Sequence, residues 1–106
     1  MRSRLLFSSR LYLGDGIEEK KLGKIKHDLL CKPLWSNVYV LTFAHNSRDQ
    51  LEFFDARQMV QHYYGEYPLK VIGIAKDYAD ALQLVTRITE ECLNSRGDCK
   101  LREYLL

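Results

Sequence analysis

The apolar positions change their spacing several times along the chain, and each change marks an element. Residues 10–13 (Arg-Leu-Tyr-Leu) read as a short strand that reaches back to Leu5. Gly14-Asp15-Gly16 then turns the chain. Asp15 followed by Glu18 three residues on gives a capping-box pattern, and a helix is expected from Ile17 to Cys31. Its buried stripe is Leu22, Ile25 and Leu29, spaced by three and four. Glu18 and Glu19 stand near its start and Lys26, His27 and Lys32 near its end, as the helix dipole favours. Pro33 stops it.

The next run, Val38 to Ala44, is almost continuously apolar and β-rich, which predicts a strand buried on both faces. A polar loop, His45 to Asp49, separates it from a second strand over Gln50–Phe54. One long helix over 50–64 is the rival reading. With the strand, Asp55 caps a helix over 56–64 that carries Ala56, Val60 and Tyr63 on one face, and Gly65 sits at its C-terminal end. Leu69 to Ala75 is the clearest strand. Asp77 caps the clearest helix, 78–93, whose positions Tyr78, Ala81, Val85, Ile88 and Cys92 recur at three and four. Asp80, Gln83, Arg87 and Glu91 are expected to face water. The tail, Cys99–Leu106, carries Leu101, Tyr104, Leu105 and Leu106 and is too apolar to be wholly solvated.

The order β-α-β-β-α-β-α predicts an α+β fold. Its first six elements match the split β-α-β-β-α-β (ferredoxin-like) sheet, with one further C-terminal helix. The alternative is a small three-layer α/β domain with a mostly parallel sheet. A chain of 106 residues forms a single domain, 1–106, with residues 1–8 read as a loosely attached arm.

Composition narrows the function classes. Charged residues are 28% and hydrophobic residues 46%, which fits a globular domain rather than a disordered one. No apolar run is long enough for a membrane span or a secretory signal, so no membrane partner and a cytoplasmic location are expected. Cys31, Cys92 and Cys99 are odd in number with no C-x-x-C pair, so neither a disulfide framework nor a zinc ribbon is indicated.

Net charge is +2, spread unevenly: residues 1–32 hold eight Lys/Arg against four Asp/Glu. Arg10, Lys20, Lys21 and Lys24 are therefore the candidate anion or nucleic-acid contacts, though the asymmetry is milder than in a dedicated binder.

No catalytic, metal or cofactor signature stands out. Gly14-Asp-Gly-Ile-Glu-Glu19 has the strand–turn–helix context of a phosphate loop. However, Glu19 stands where its third glycine belongs, and Glu18 and Glu19 put negative charge where a phosphate would sit. His27 and Cys31 share a helix face but are only two ligands. Asp49, Glu52 and Asp55, three apart, are explained by caps and loops. Arg96-Gly97-Asp98 is read as a turn.

Aromatic residues are in surplus: Trp35, Tyr39, Phe43, Tyr63, Tyr64 and Tyr67 cannot all face one core, and exposed rings with polar tips are common at interfaces. The leading expectation is a small non-enzymatic binding or interaction module, a homodimer through an apolar sheet face or edge built on these six residues. Nucleic-acid binding by the basic N-terminal third is the first alternative. A small enzyme or anion-ligand domain using Gly14–Gly16 with His45 or His62 is the second.

Overall fold

The computed structural model describes residues 5–32, 36–43, 51–58 and 69–105. The elements are β1 (Leu5–Leu13), a 3-10 turn (Glu19–Lys21), α1 (Leu22–Cys31), β2 (Tyr39–Phe43), β3 (Leu51–Asp55), a 3-10 turn (Ala56–Gln58), β4 (Leu69–Ala75), α2 (Tyr78–Arg96) and α3 (Leu101–Leu105). The fold is α+β around a four-stranded mixed sheet of order β1-β4-β2-β3. The expected loop at His45, the helix beyond Gln58 and its Gly65 cap lie outside the described residues, as does Pro33.

β1 runs parallel to β4, while β2 runs antiparallel to both β4 and β3. The split β-α-β-β-α-β order is not confirmed. That order would make the first two strands parallel with one strand between them. Here β4 does lie between β1 and β2, but the two run in opposite directions. The mostly parallel alternative fails too, since two of the three pairings are antiparallel. The 51–55 segment is a strand, not part of a long helix, because Leu51 to Asp55 pair residue by residue with Phe43 to Tyr39.

Neighbouring residues of β2 point to opposite sides of the sheet, and each side has its own core. Val40, Val71 and Ile74 pack with Leu29 of α1, and with Leu22, Ile25 and Phe7 around them. Leu41 and Ala75 pack with Ala81, Leu84, Ile88 and Cys92 of α2 and Leu101 of α3. Val40 and Leu41 are both fully buried, as the doubly apolar strand predicted. The sheet face turned away from α1 is covered by α2 and α3 of the same chain.

Both ladders are irregular near Ile72. Leu41 pairs with Gly73 and Thr42 with Val71, so Ile72 is an extra residue in β4. On the other side Phe7 pairs with Val71 and Tyr12 with Gly73, so the four residues Ser8–Leu11 stand opposite Ile72 alone. Such a bulge bends its strand and re-aims side chains. Here it sits on an edge strand.

Candidate functional site

The Gly14–Gly16 turn is occupied by a side chain of the chain itself. Asp80, in the first turn of α2, is buried. Its Oδ2 accepts from the Gly16 amide at 3.2 Å and from the Lys76 amide at 2.8 Å. Gly14 donates to the Ile74 carbonyl at 2.9 Å, which docks the turn on the end of β4. The amides that could meet a phosphate thus meet a carboxylate, and a second anion would be repelled.

Asp80 was expected in solvent. Its burial follows from the turn of β1 packing over the start of α2, a contact 64 residues apart in sequence. The local signal was an acidic residue in a helix's first turn, where amides and dipole favour one. Asp77 caps α2 as expected, its Oδ1 accepting from the Asp80 amide at 2.9 Å.

Asp15 does not cap α1. It is exposed and pairs with Arg87 at 3.2 Å, while Glu18, the residue before the 3-10 turn, makes no side-chain cap. The capping-box reading fails because the chain enters α1 through that turn and not directly from Gly16.

Three of the six described basic residues in the N-terminal third are paired. Lys20 and Lys21 face Glu18 at 3.5 and 3.9 Å, and Lys24 faces Asp28 at 4.0 Å. Each exposed pair adds little stability, but together they blunt the positive face. Arg10 lies apart from them, on β1. His45 and His62 fall outside the described residues.

Of the six aromatic candidates, Trp35, Tyr63, Tyr64 and Tyr67 lie outside the described residues. Tyr39 and Phe43 are half-buried on β2. The Tyr39 ring meets Phe53 of β3 at 6.3 Å and Tyr78 of α2 edge-on at 6.2 Å, and Phe53 meets Tyr78 at 5.3 Å. These are ordinary aromatic pair distances, and the cluster joins the β3 edge to the start of α2.

The remaining candidates take structural parts. His27 Nδ1 and Cys31 Sγ lie 3.9 Å apart on the exposed side of α1, and among the described residues no three His, Cys, Asp or Glu gather to hold a metal. Asp55 accepts from Arg57 at 2.6 and 3.0 Å, and these bonds hold its carboxyl below the usual range, so it stays ionised rather than serving as an acid. Asp49 is outside the described residues, and Glu52 is half-buried in β3. Arg96 and Asp98 pair at 3.1 Å around Gly97, whose φ of 79° ends α2. Cys92 is a buried core thiol. Burial pushes its pKa up.

Two features bring residues together in ways the sequence did not show, although Arg10 in the first is a candidate anion contact. The first is a cavity of about 190 Å³ at the β1 bulge, lined by Ser8, Ser9, Arg10, Tyr12, Lys70, Tyr104 and Leu105. Behind it, the hydroxyls of Tyr12 and Tyr104 both donate to Glu91 Oε1, at 3.1 and 3.2 Å. Burial, then the Glu91 charge and hydrogen bond, push the Tyr12 hydroxyl up to about 12.

The second is a flank of α2. Tyr78, Leu82 and Leu93 are 59%, 50% and 48% exposed. With Val85, Thr86 and Thr89 they form a continuous stripe beside the buried one, because their helical spacing brings them to one side. The stripe carries no charge. Its threonine hydroxyls donate back to the helix, Thr86 to the Leu82 carbonyl at 3.0 Å and Thr89 to the Val85 carbonyl at 2.8 Å. Those bonds occupy the polar ends of both side chains within the helix.

Compared with family models, with curated proteins and with solved structures, the chain matches none. No described helix is long and apolar enough to cross a membrane.

Proposed function

We propose that the chain is a non-enzymatic interaction module that pairs with a second copy of itself through the flank of α2. The observation that carries this reading is the charge-free stripe Tyr78, Leu82, Val85, Thr86, Thr89 and Leu93 on an otherwise charged helix. Exposed apolar surface of this continuity is unusual on a chain with no partner.

A second copy suits the stripe for two reasons. It meets no like charge there. The stripe also reads alike in both directions, with its large side chains at the ends and Val85 and Thr86 between them. An antiparallel two-fold pairing sets Tyr78 opposite Leu93 of the partner subunit, an isologous contact. A helix of 19 residues spans about 28 Å at ~1.5 Å per residue. One flank of it covers less than the ~800 Å² per partner of a stable complex. The Tyr39–Phe53–Tyr78 cluster extends it, and the expected dimer is weak. A reducing, cytoplasmic setting suits three cysteines that form no disulfide.

Sedimentation equilibrium tests the reading. A concentration-dependent dimer should form in the range of tens of micromolar and be lost in Leu82→Glu and Leu93→Glu. Both positions are half exposed, so thermal stability should hold. A wild-type monomer throughout, or a dimer that survives both substitutions, overturns it.

A further inference from the structure

We propose that the cavity at the β1 bulge is a binding site for a small phosphomonoester dianion, held by Arg10 and Lys70. The site is separate from the α2 flank and does not rest on the self-association reading.

Charge is the first ground. Among the described residues, Lys20, Lys21, Lys24, Arg57, Arg87 and Arg96 all face a carboxylate. Arg10 and Lys70 have no such partner among the described residues, nor do Lys26, Lys32, Lys76 and Lys100, but these two are the ones that line the same cavity. Two uncompensated cations match the charge of a phosphomonoester at neutral pH. Arginine offers the planar fork that phosphate oxygens accept in pairs, and lysine a point charge.

Backbone geometry is the second. In a regular strand, consecutive side chains alternate between faces. Ser8, Ser9 and Arg10 are consecutive, yet all three line this one cavity. The bulge makes this possible, since these residues are released from the ladder opposite Ile72. The Ser8 hydroxyl accepts from the Arg10 amide at 3.3 Å, which steadies the bulge and leaves the hydroxyl hydrogen available to a ligand. Bulges on edge strands commonly re-aim side chains in this way at functional sites.

The wall is the third. Tyr12 and Tyr104 reach the cavity from β1 and α3, and both are anchored on Glu91 Oε1. Among the described residues, Glu91 is the one carboxylate bonded to a cavity-lining side chain, and it keeps its charge while the two hydroxyls hold it behind the tyrosine rings. At about 190 Å³ the cavity takes roughly six waters at ~30 Å³ each. That volume fits a phosphate with a short substituent.

The test is an amide chemical-shift titration at neutral pH with inorganic phosphate, glycerol phosphate as a monoester, and dimethyl phosphate as a diester. The monoester should saturate in the millimolar range or below, with shifts centred on Ser8–Leu11 and Lys70. Arg10→Gln should weaken it about tenfold or more, and Lys70→Gln should do likewise. Lys20→Gln with Lys21→Gln, which removes as much charge elsewhere, should leave it unchanged. Arg10 is exposed, so its variant decides the matter should Lys70→Gln lower the melting temperature. Leu82→Glu should not alter the titration, which separates this site from dimer formation. The proposal is overturned by wild-type protein that fails to saturate with the monoester, by equal binding of the diester (the mark of a general backbone-phosphate binder), or by equal loss in the Lys20/Lys21 control.

Discussion

The Asp80 carboxylate accepts from the Gly16 amide at 3.2 Å and occupies the space that a Cβ on Gly14 would enter. The buried carboxylate therefore keeps position 14 a glycine and ties the end of β1 to the start of α2, while at position 16 a Cβ would first meet the Lys76 side chain. Gly14 is needed here for close approach, not for an unusual φ.

The clasp sets the first prediction. Gly14→Ala should destabilise by about 3 kcal/mol, through overlap and loss of bonds to a charged acceptor. Asp80→Ala should cost about 2 kcal/mol, because it leaves the Gly16 and Lys76 amides without their acceptor. The double variant should cost less than the sum, since removing the carboxylate makes room for the methyl group. Urea unfolding of the three variants gives the coupling, and additive costs would show that the contact is not the cause.

Helix α2 ends in two independent devices. Asp77→Ala should lose about 1 kcal/mol, as capping aspartates do. Gly97→Ala should lose about 1 kcal/mol, because an L side chain is strained at φ 79°. The two sites lie a helix length apart, so their costs should add in thermal unfolding.

Thr42 sits in the middle of β2, fully buried, and its Oγ1 has no hydrogen-bond partner among the described residues. Thr42→Val keeps the shape and removes the stranded hydroxyl. It should raise stability by about 1 kcal/mol, read as a higher denaturation midpoint at unchanged slope. A lower midpoint would mean that the hydroxyl has a partner in solution.

Tyr12 makes stability depend on alkaline pH. Its pKa rises from 10.0 in the unfolded chain to about 12 in the folded one, through burial first and then Glu91. The unfolded state therefore gives up its proton first. The contribution is complete below pH 10 and is lost as pH rises towards 12. Tyr12→Phe should flatten the fall in stability over that window. Glu91→Gln should flatten it in part, since burial remains. Urea midpoints across the window, with a tyrosinate absorbance titration, check both.

Local pattern was sufficient where an element is made by its own residues. β2, Tyr39–Phe43, falls inside the continuous apolar run and is buried on both faces, and Leu69–Ala75 is β4. Asp77 caps α2, and α2 extends to Arg96, three residues beyond the reading, because Gly97 rather than Asn94 ends it. The capping box at Asp15 and Glu18 misled because it is a local motif that a 3-10 turn displaced. Ala81, Ile88 and Cys92 of the expected stripe are buried, but Tyr78 is exposed and Val85 half-buried, and Leu84 packs inside instead. The exposed flank runs through Tyr78, which the spacing assigned to the core, and through Leu82 and Leu93, which no expectation named. Helical spacing can group residues on one side of a helix, but it cannot say which sides the rest of the chain covers.

The sequence by itself determined the α+β class, most strand and helix positions and the absence of a metal or nucleotide motif, because propensity, period and capping act within a few residues. Tertiary structure decided what those rules do not reach. It set the order β1-β4-β2-β3, because pairing depends on partners far apart in the chain. It buried Asp80, because the turn it binds lies more than sixty residues away. It gathered Ser8, Ser9, Arg10, Lys70 and Tyr104 around one cavity, because only the bulge opposite Ile72 breaks the alternation that would otherwise have sent neighbouring side chains to opposite faces.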